Sequence, residues 1–344
     1  EKTICSYTSS NYSVLTNSAT SALHISCLAL GLSEGDVLWT SPNSYVASAN
    51  VGLLCNAEVD FVDIDSETYN MCPTALSMKL RDAEKNGKLP KIVMPVHFAG
   101  QSCDMINIKK LSEKYGFKII EDASHAIGGV YKNTKIGSCK FSDITVFSFH
   151  PVKIITTAEG GCATTNDENI FEKLKLLSSH GVTRNPKNMV NKTLDKWVYD
   201  QISIGFNYRM SDLNAALGLS QLLRIDSFIK KRNKIAKKYF QQLKNLDLKL
   251  PKQEDYNSSA LHLFPIQVND RKKIYNLLHR NDIKVNVHYR PIHTQPFWQN
   301  RGFKFGLFPN SELYYSKAIS LPIFYDLNDE MQDCVINVLQ KSCL

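Results

Sequence analysis

The sequence predicts an α/β protein with a mostly parallel, doubly wound sheet flanked by helices and a smaller C-terminal α+β domain. Short apolar strands alternate with helix-like segments through the first half of the chain, which is the pattern of a parallel sheet with helical crossovers. After Pro251 the order changes to strand, helix, strand and terminal helix. The chain has 344 residues, of which 43% are hydrophobic, and this is sufficient for two domains.

The first predicted element is a helix over residues 20–30. Ala22, Leu23 and Cys27 have helical spacing, the polar residues before them suit a helix start, and Gly31 suits its end. The predicted strands that follow are 37–40, 59–64, 91–96, 117–120 and 144–149. The predicted helices between them lie near 44–55, 74–86 and 104–115.

The second half begins with a long helical pattern from about residue 211 to residue 246, which we expect to link two domains. The predicted strands HLFPIQV and KVNVHY follow, with a helix over Arg271–Arg280 between them and a last helix from about 328 to 339. We therefore divide the chain into a large domain over 1–210, a linking helical region over 211–250 and a small domain over 251–344.

Composition and charge favour a cytoplasmic enzyme without a membrane or nucleic-acid partner. No apolar run reaches the roughly 18 residues needed to span a bilayer, and the opening EKTICSYTSS lacks the pattern of a signal peptide. The formal net charge is +8, but the lysines occur as pairs spread along helices, which is typical of a solvated surface. The nine scattered cysteines have no CxxC or Cys/His spacing, which predicts reduced thiols and no metal site.

One acid and one lysine follow consecutive predicted strands, where parallel sheets place their binding sites. Asp122 comes after the apolar run 117–120, and Lys153 lies in the polar loop after strand 144–149. Pyridoxal 5'-phosphate needs an amine to hold its aldehyde as a Schiff base and a carboxylate to keep its ring nitrogen protonated. The pair predicts this cofactor, although either residue alone would be interpreted as a solvated surface group. Glu121 must point away from Asp122 if the strand continues through both.

Other polar and aromatic residues could complete such a site. The polar start of the first helix, with Thr20 and Ser21, supplies at least one N-cap, and its free N–H groups could equally bind a phosphate. Tyr45 could pack at a helix start or cover a flat cofactor ring. His125 follows Asp122 by three residues on the same loop, and it is the best candidate among the lone histidines.

Two later segments are dense in polar and aromatic residues. GFNYRMSD, residues 205–212, contains Asn207, and the alternative interpretation of this segment is an N-cap for the helix that follows. VHYRPIHTQPFW, residues 287–298, contains His288, Tyr289 and Arg290. We interpret it as a substrate-facing loop, with Arg290 as the candidate contact for a diphosphate.

These motifs resemble the DegT/DnrJ/EryC1/StrS family of sugar aminotransferases, which has the fold-type I scaffold of enzymes that use pyridoxal phosphate. The resemblance runs from LTNSATSALH through EDASHAIG, FSFHPVKIITTAEGG and GFNYRMSDLNAALGLSQL to VHYRPIHTQPFW. Within the family, SATSALH and ITTAEGG are most similar to the pseudaminic acid branch. The chain starts inside what is normally the first helix, so we expect the family's opening segment to be missing.

The resemblance implies roles for the matching residues. Lys153 would hold the cofactor and shuttle protons, Asp122 would pair with the ring nitrogen, and His125 would lie beside the ring. Tyr45 would stack on the ring, where the family often has phenylalanine or tryptophan. The residues implied to hold the phosphate are Thr20, Ser21 and Ser148, together with Asn207 from the neighbouring subunit. That last role implies a homodimer with shared active sites.

The reaction implied by the resemblance transfers an amino group from L-glutamate to C4 of a UDP-linked 4-keto-6-deoxy-N-acetylhexosamine. One alternative is another nucleotide 4-keto sugar, such as a dTDP sugar or the precursor of 4-amino-arabinose. Another is a protein that binds pyridoxal phosphate without turnover. Sugar dehydratases of the same scaffold carry histidine in place of the lysine, so Lys153 argues against them.

Overall fold

The computed structural model describes residues 1–190, 195 and 197–342 of the chain. Its α-helices are α1 (Lys2–Thr8), α2 (Ala19–Ala29), α3 (Ala47–Leu54), α4 (Pro73–Lys85), α5 (Met105–Tyr115), α6 (Glu168–Ser178), α7 (Asp212–Leu222), α8 (Ile225–Leu243), α9 (Arg271–Arg280), α10 (Pro296–Gln299), α11 (Pro309–Lys317) and α12 (Asp329–Gln340). Short 3₁₀ turns span Phe98–Gly100 and Ile292–Thr294.

The strands begin with β1 (Tyr12–Thr16), β2 (Val37–Thr40), β3 (Glu58–Phe61), β4 (Ile92–Met94) and β5 (Lys118–Asp122). Those in the middle are β6 (Val130–Tyr131), β7 (Thr134–Lys135), β8 (Ile144–Ser148), β9 (Gly161–Thr165), β10 (Val182–Thr183) and β11 (Asp200–Gln201). The last are β12 (Leu248–Lys249), β13 (Asn257–Ser258), β14 (Phe264–Val268) and β15 (Ala318–Leu321).

A seven-stranded sheet with the order β1-β9-β8-β5-β4-β2-β3 forms the centre of the fold. Strands β3, β2, β4, β5 and β8 run parallel, and β9 pairs antiparallel with β8 and with β1. Strands β4, β8 and β9 are buried along their whole length because helices cover both faces of the sheet. The predicted mostly parallel sheet is therefore present, with its antiparallel strands at one side.

Two groups of helices enclose this sheet. On one face α2, α3 and α6 contribute Leu23, Val51 and Leu174 to a core with the strand residues Leu38 and Phe61. On the other face α4 and α5 pack Leu76, Leu80 and Ile108 against Val93 and Ile119. Because β5 and β8 lie in the middle of the sheet, the residues at their carboxyl ends are held on both sides by packed neighbours.

A second apolar core lies in the C-terminal part. Strands β12, β14 and β15 form an antiparallel sheet, and α8, α9 and α12 pack on it through residues such as Tyr239, Leu278 and Leu339. This arrangement matches the predicted α+β character. The boundaries drawn at residues 210 and 250 stay a prediction.

The predicted strand KVNVHY is wrong. Its residues make only an isolated bridge between Asn286 and Ser320, and the third strand of this sheet is β15, which the sequence analysis did not identify. The segment leaves the edge of the C-terminal sheet after Asn286 because Tyr289 packs against Phe98 and His125, which follow strands of the large sheet. Packing across the molecule therefore outweighs the local strand pattern.

The single helical pattern over 211–246 forms two helices, α7 and α8, with a break at Leu223 and Arg224. Most of α8's apolar side chains pack on the second core, whereas only Leu222 of α7 is buried. In the described part of the chain, no helix combines the length and apolar composition that a membrane span requires.

Candidate active site

A cavity of about 330 Å³ opens at the carboxyl ends of β5 and β8. It is lined from the sheet by Asp122 and Ser148, from the loop after β8 by Lys153, and from the start of α2 by Ser18 and Thr20. Parallel strands bring residues from these distant segments to one edge of the sheet, where binding sites form in such folds.

Asp122 is the last residue of β5, and its side chain faces the cavity while being only 4% exposed. Its Oδ2 accepts a hydrogen bond from the Ser48 hydroxyl at 2.6 Å, and its Oδ1 accepts one from the Ser124 backbone N–H at 3.1 Å. Glu121, one residue earlier, bonds on the other side of the strand to His97. The two carboxylates therefore occupy opposite faces of β5, as the period of two predicts.

Lys153 is the cavity's only lysine among the described residues. Burial lowers the pKa of its amine to about 8, and the charge of Asp122 opposes this shift only partly. A lysine with this pKa is still mainly protonated at neutral pH, but its neutral fraction is far larger than that of an ordinary lysine, which lets its amine act as a nucleophile or a base.

The loop that carries Lys153 is held at both of its ends. Near the end of β8, the Thr156 hydroxyl donates to the Phe149 carbonyl oxygen. Farther along, the Asn214 amide of α7 donates to the carbonyl oxygens of Thr157 and Glu159 at 2.6 and 2.9 Å. These bonds fix the position of the loop relative to the sheet.

The start of α2 presents a capped helix N-terminus to the cavity. Ser18 is the N-cap, and its hydroxyl oxygen accepts from the Ser21 backbone N–H at 3.1 Å. The Ser21 hydroxyl bonds to Asn17 and Ser18 and does not line the cavity, whereas Thr20 does. The predicted N-cap is therefore present, and the helix dipole with nearby hydroxyls also suits an anion.

Aromatic rings and a histidine form the opposite wall. Tyr45 is exposed at the mouth, with its ring centroid 6.3 Å from that of Tyr289. The Tyr289 hydroxyl lies 3.2 Å from His125 Nε2, and the His262 ring packs against the His125 ring at 4.4 Å between centroids, tilted by 44°. Burial and the charge of Lys153 lower the pKa of His125 and of His262 well below the usual histidine value, so both rings are neutral.

Four of the predicted site residues lie outside the cavity's lining: Ser21, Asn207, His288 and Arg290. Asn207 is exposed and bridges to Ser179, while His288 Nδ1 contacts the Ser320 hydroxyl at 2.8 Å. The exposed Arg290 donates to the Thr294 carbonyl oxygen at 2.7 Å. Their proposed roles in binding stay predictions.

The sequence pattern of the DegT/DnrJ/EryC1/StrS aminotransferase family matches residues 1–340. The chain belongs to this family. It is therefore an aminotransferase, and the predicted family, fold class and enzyme class are confirmed.

Known proteins similar to this aminotransferase include a UDP-4-amino-4,6-dideoxy-N-acetyl-beta-L-altrosamine transaminase from Campylobacter jejuni subsp. jejuni serotype O:2. It is 36% identical, over 99% of this chain and 89% of the relative. Helicobacter pylori PseC, an aminotransferase involved in the biosynthesis of pseudoaminic acid, is similar in structure with a TM-score of 0.88 and 32% identity, over 99% and 89% of the two chains. The PLP form of Spr1654 from Streptococcus pneumoniae has a TM-score of 0.88 and 28% identity, over 99% and 90%.

Four polar residues at or beside the aminotransferase's site were not predicted from the sequence: Ser44, Ser48, Ser124 and His262. Ser44 and Ser48 line the cavity, and their spacing of four residues near a predicted helix start was the available signal. No local signal marks His262, because the residue reaches His125 only through the fold.

Proposed function

We propose that this aminotransferase uses pyridoxal 5'-phosphate to transfer an amino group from L-glutamate to C4 of a UDP-linked 4-keto-6-deoxy-N-acetylhexosamine. The observation that carries the proposal is the meeting of Lys153, with its lowered pKa, and Asp122 in one cavity that opens beside a helix N-terminus. The names of the Campylobacter and Helicobacter relatives support the sugar substrate and a pseudaminic acid type pathway.

The residues of the cavity fit this cofactor. Lys153 supplies the amine that bonds the aldehyde, and Asp122 supplies the carboxylate that keeps the ring nitrogen protonated. The start of α2, with Thr20 and Ser148, supplies N–H and hydroxyl groups for the phosphate. When bound, the cofactor withdraws electrons from the carbon that loses or gains a proton.

The chain's own residues then move and hold protons. Lys153 Nζ would take a proton from the amino donor in the first half-reaction and would deliver a proton to C4 of the acceptor in the second, because a base with a pKa of about 8 can do both near neutral pH. The neutral His125 and the Tyr289 hydroxyl bound to it provide polar but uncharged groups beside the reacting atoms. Tyr45, exposed at the open mouth, would cover the cofactor ring and limit the access of water.

A labelling experiment tests the cofactor assignment. Reduction of the protein with borohydride in the presence of pyridoxal phosphate should attach the cofactor to Lys153, detected by peptide mass spectrometry. Lys79, which is largely buried but paired with Asp60 at 2.5 Å, is the matched control and should stay unlabelled. Labelling at Lys79 and not at Lys153 would contradict the assignment.

A substrate panel tests the reaction. We expect mass spectrometry to show amination by L-glutamate of UDP-4-keto-6-deoxy sugars, with the L-arabino epimer preferred about tenfold or more over its D-xylo epimer. One buried polar group left unpaired by the wrong epimer is sufficient for this ratio. Preference for a dTDP sugar would contradict the proposed substrate and leave the aminotransferase reaction intact.

We propose that two copies of the chain share their active sites through the face of α7. Leu213 and Leu223 on or beside this helix are 85% and 77% exposed, and Ile204 is 81% exposed. Exposed apolar groups of this extent favour an interface. The exposed Asn207 lies in the same region of the chain, which supports its role toward the phosphate site of a second copy.

Mixing two inactive variants tests the shared site. A hybrid of Lys153→Ala and Asn207→Ala subunits contains one site with both residues intact, so random mixing should restore about a quarter of the wild-type activity. Mixing Lys153→Ala with itself is the control. Confirmed subunit exchange without recovery would contradict the shared site.

The role of Arg290 at the substrate's diphosphate is proposed from its chemistry. We expect Arg290→Ala to weaken binding of the UDP-sugar and to leave the half-reaction with L-glutamate unchanged, because the amino donor carries no diphosphate. Arg280→Ala, at the exposed end of α9, is the matched control. An unchanged affinity for the UDP-sugar would remove Arg290 from the site.

A further inference from the structure

Two serine hydroxyls form a chain that ends on the carboxylate of Asp122. Ser44 Oγ lies 2.8 Å from Ser48 Oγ, and Ser48 Oγ lies 2.6 Å from Asp122 Oδ2. All three residues are at most 4% exposed, and all three line the cavity. Ser48 lies in the first turn of α3, and Ser44 lies in the bend that precedes the helix.

The chemistry of these groups fixes the direction of both hydrogen bonds. An ionised carboxylate only accepts, so the Ser48 hydroxyl must donate its proton to Asp122. That proton is then no longer available for Ser44, and the Ser44 hydroxyl must donate to the oxygen of Ser48. The donated protons of the chain therefore all point toward Asp122.

The Ser48 hydroxyl has two acceptors within hydrogen-bond distance, so the strengths of the two bonds can be compared. The carbonyl oxygen of Tyr45 lies 3.4 Å from Ser48 Oγ, the ordinary bond of a serine to its own helix. The bond to Asp122 is shorter by 0.8 Å and is assisted by charge, so it is the stronger one. The Ser48 hydroxyl therefore donates mainly to the Asp122 carboxylate and only weakly to the backbone of its own helix.

We propose that Ser48, supported by Ser44, is a positioning residue that holds the Asp122 carboxylate in one orientation and aims it into the cavity. This inference rests on the proposed cofactor, because the partner of Asp122 would be the ring nitrogen of pyridoxal phosphate. A carboxylate held in one orientation would stay aligned with the ring nitrogen and would help to keep that nitrogen protonated.

The test is ¹⁵N NMR of pyridoxal phosphate labelled at its ring nitrogen and bound to the protein, since the chemical shift of that nitrogen reports its protonation. In Ser48→Ala the shift should move toward the unprotonated value, with the protonation equilibrium of the ring nitrogen changed about tenfold. The turnover number should fall about tenfold, and the KM of the sugar substrate should not change.

Three further variants separate this role from a structural one. Ser44→Ala should move the same shift in the same direction by a smaller amount, and Ser48→Thr should restore it because the hydroxyl is kept. Ser112→Ala removes an equally buried hydroxyl in α5, whose 2.6 Å bond to the Phe117 carbonyl oxygen is remote from the cavity. It should lower the melting temperature about as much as Ser48→Ala and leave the nitrogen shift unchanged.

An unchanged nitrogen shift in Ser48→Ala, or an equal change in Ser112→Ala, would overturn the proposal. A double-mutant comparison gives a further criterion. If Ser48 acts through Asp122, Ser48→Ala should have no additional effect on turnover in a protein that already carries Asp122→Asn. An effect as large as in the wild type would therefore also overturn the proposal. A wild-type protein that binds no labelled cofactor would instead overturn the proposed cofactor, and with it the partner of Asp122. The two failures are therefore distinguishable.

Discussion

Glu121 and Asp122 are neighbours in β5, but their two faces of the strand have different surroundings. The Glu121 carboxylate is 5% exposed and accepts from His97 Nε2 at 2.6 Å and from the hydroxyls of Ser142 and Thr145. The Asp122 carboxylate is 4% exposed and accepts from the protein through Ser48 and Ser124, while its remaining side faces the cavity.

The difference lies in how much of each carboxylate's acceptor capacity the protein uses. An ionised carboxylate has about four acceptor positions. Side chains fill three at Glu121, whereas Asp122 keeps two for whatever enters the cavity. Although burial alone raises the pKa of Glu121, its bonds to His97, Ser142 and Thr145 lower it below the usual range. The two carboxylates are almost equally buried, yet Glu121 is a structural group whereas Asp122 remains available for a ligand.

The largest expected effect is on the cavity face. Asp122→Asn should lower the turnover number by about 100-fold or more, because a neutral amide cannot stabilise a protonated ring nitrogen. The melting temperature should change little, since the amide keeps the shape of the side chain and can still accept from Ser48. Steady-state kinetics and thermal unfolding of the same preparation measure both quantities.

Glu121→Gln should show the opposite pattern. We expect the free energy of unfolding to fall by about 2 to 4 kcal/mol, because the change breaks a buried charged network and leaves His97 with a poorer acceptor. Activity per folded molecule should change less than about twofold, a span that corresponds to roughly 0.4 kcal/mol. Urea unfolding and kinetics provide the comparison, and equal losses of activity in the two variants would contradict the difference between the faces.

The Glu121 network should also give the protein a distinct response to acid. A carboxyl whose pKa is lowered in the folded state stabilises the fold above its unfolded pKa of about 4.3 and loses that stabilisation as the pH falls toward the folded pKa. The loss amounts to at most about 1.4 kcal/mol for each pH unit. The stability difference between wild type and Glu121→Gln, measured in urea from pH 6 to pH 3.5, should therefore shrink only below about pH 4.3.

The smallest expected effect comes from one bond of that network. Thr145→Val keeps the shape of the side chain but removes its 3.1 Å hydrogen bond to Glu121, which should cost about 1 kcal/mol of stability. Thr40→Val, which removes a 2.9 Å bond from an equally buried hydroxyl to the Met94 carbonyl oxygen, is the matched control. If only the Thr145 variant changes the acid response, the effect belongs to Glu121.

Several elements could be predicted because their signals are local. Five of the seven strands of the large sheet and the helices between them match predicted segments, whereas β1 and β9 have no predicted counterpart. The period of two places Glu121 and Asp122 on opposite faces. The C-terminal sheet was predicted less well. The residues of β15 follow α11 without a break, so no turn signal separated them, and KVNVHY has a strand pattern but departs from the sheet after Asn286.

The chain's order of apolar and polar residues determined the parallel sheet, the capped start of α2, and the placement of Asp122 and Lys153 at neighbouring strand ends. These features depend on spacing within a few residues, which a sequence displays directly. Only the tertiary structure decided that Ser48 donates to Asp122, that the His262 ring packs against His125, and that His97 bonds to Glu121. Such contacts join residues far apart along the chain, and their geometry is set by close packing of whole elements, which no local pattern records.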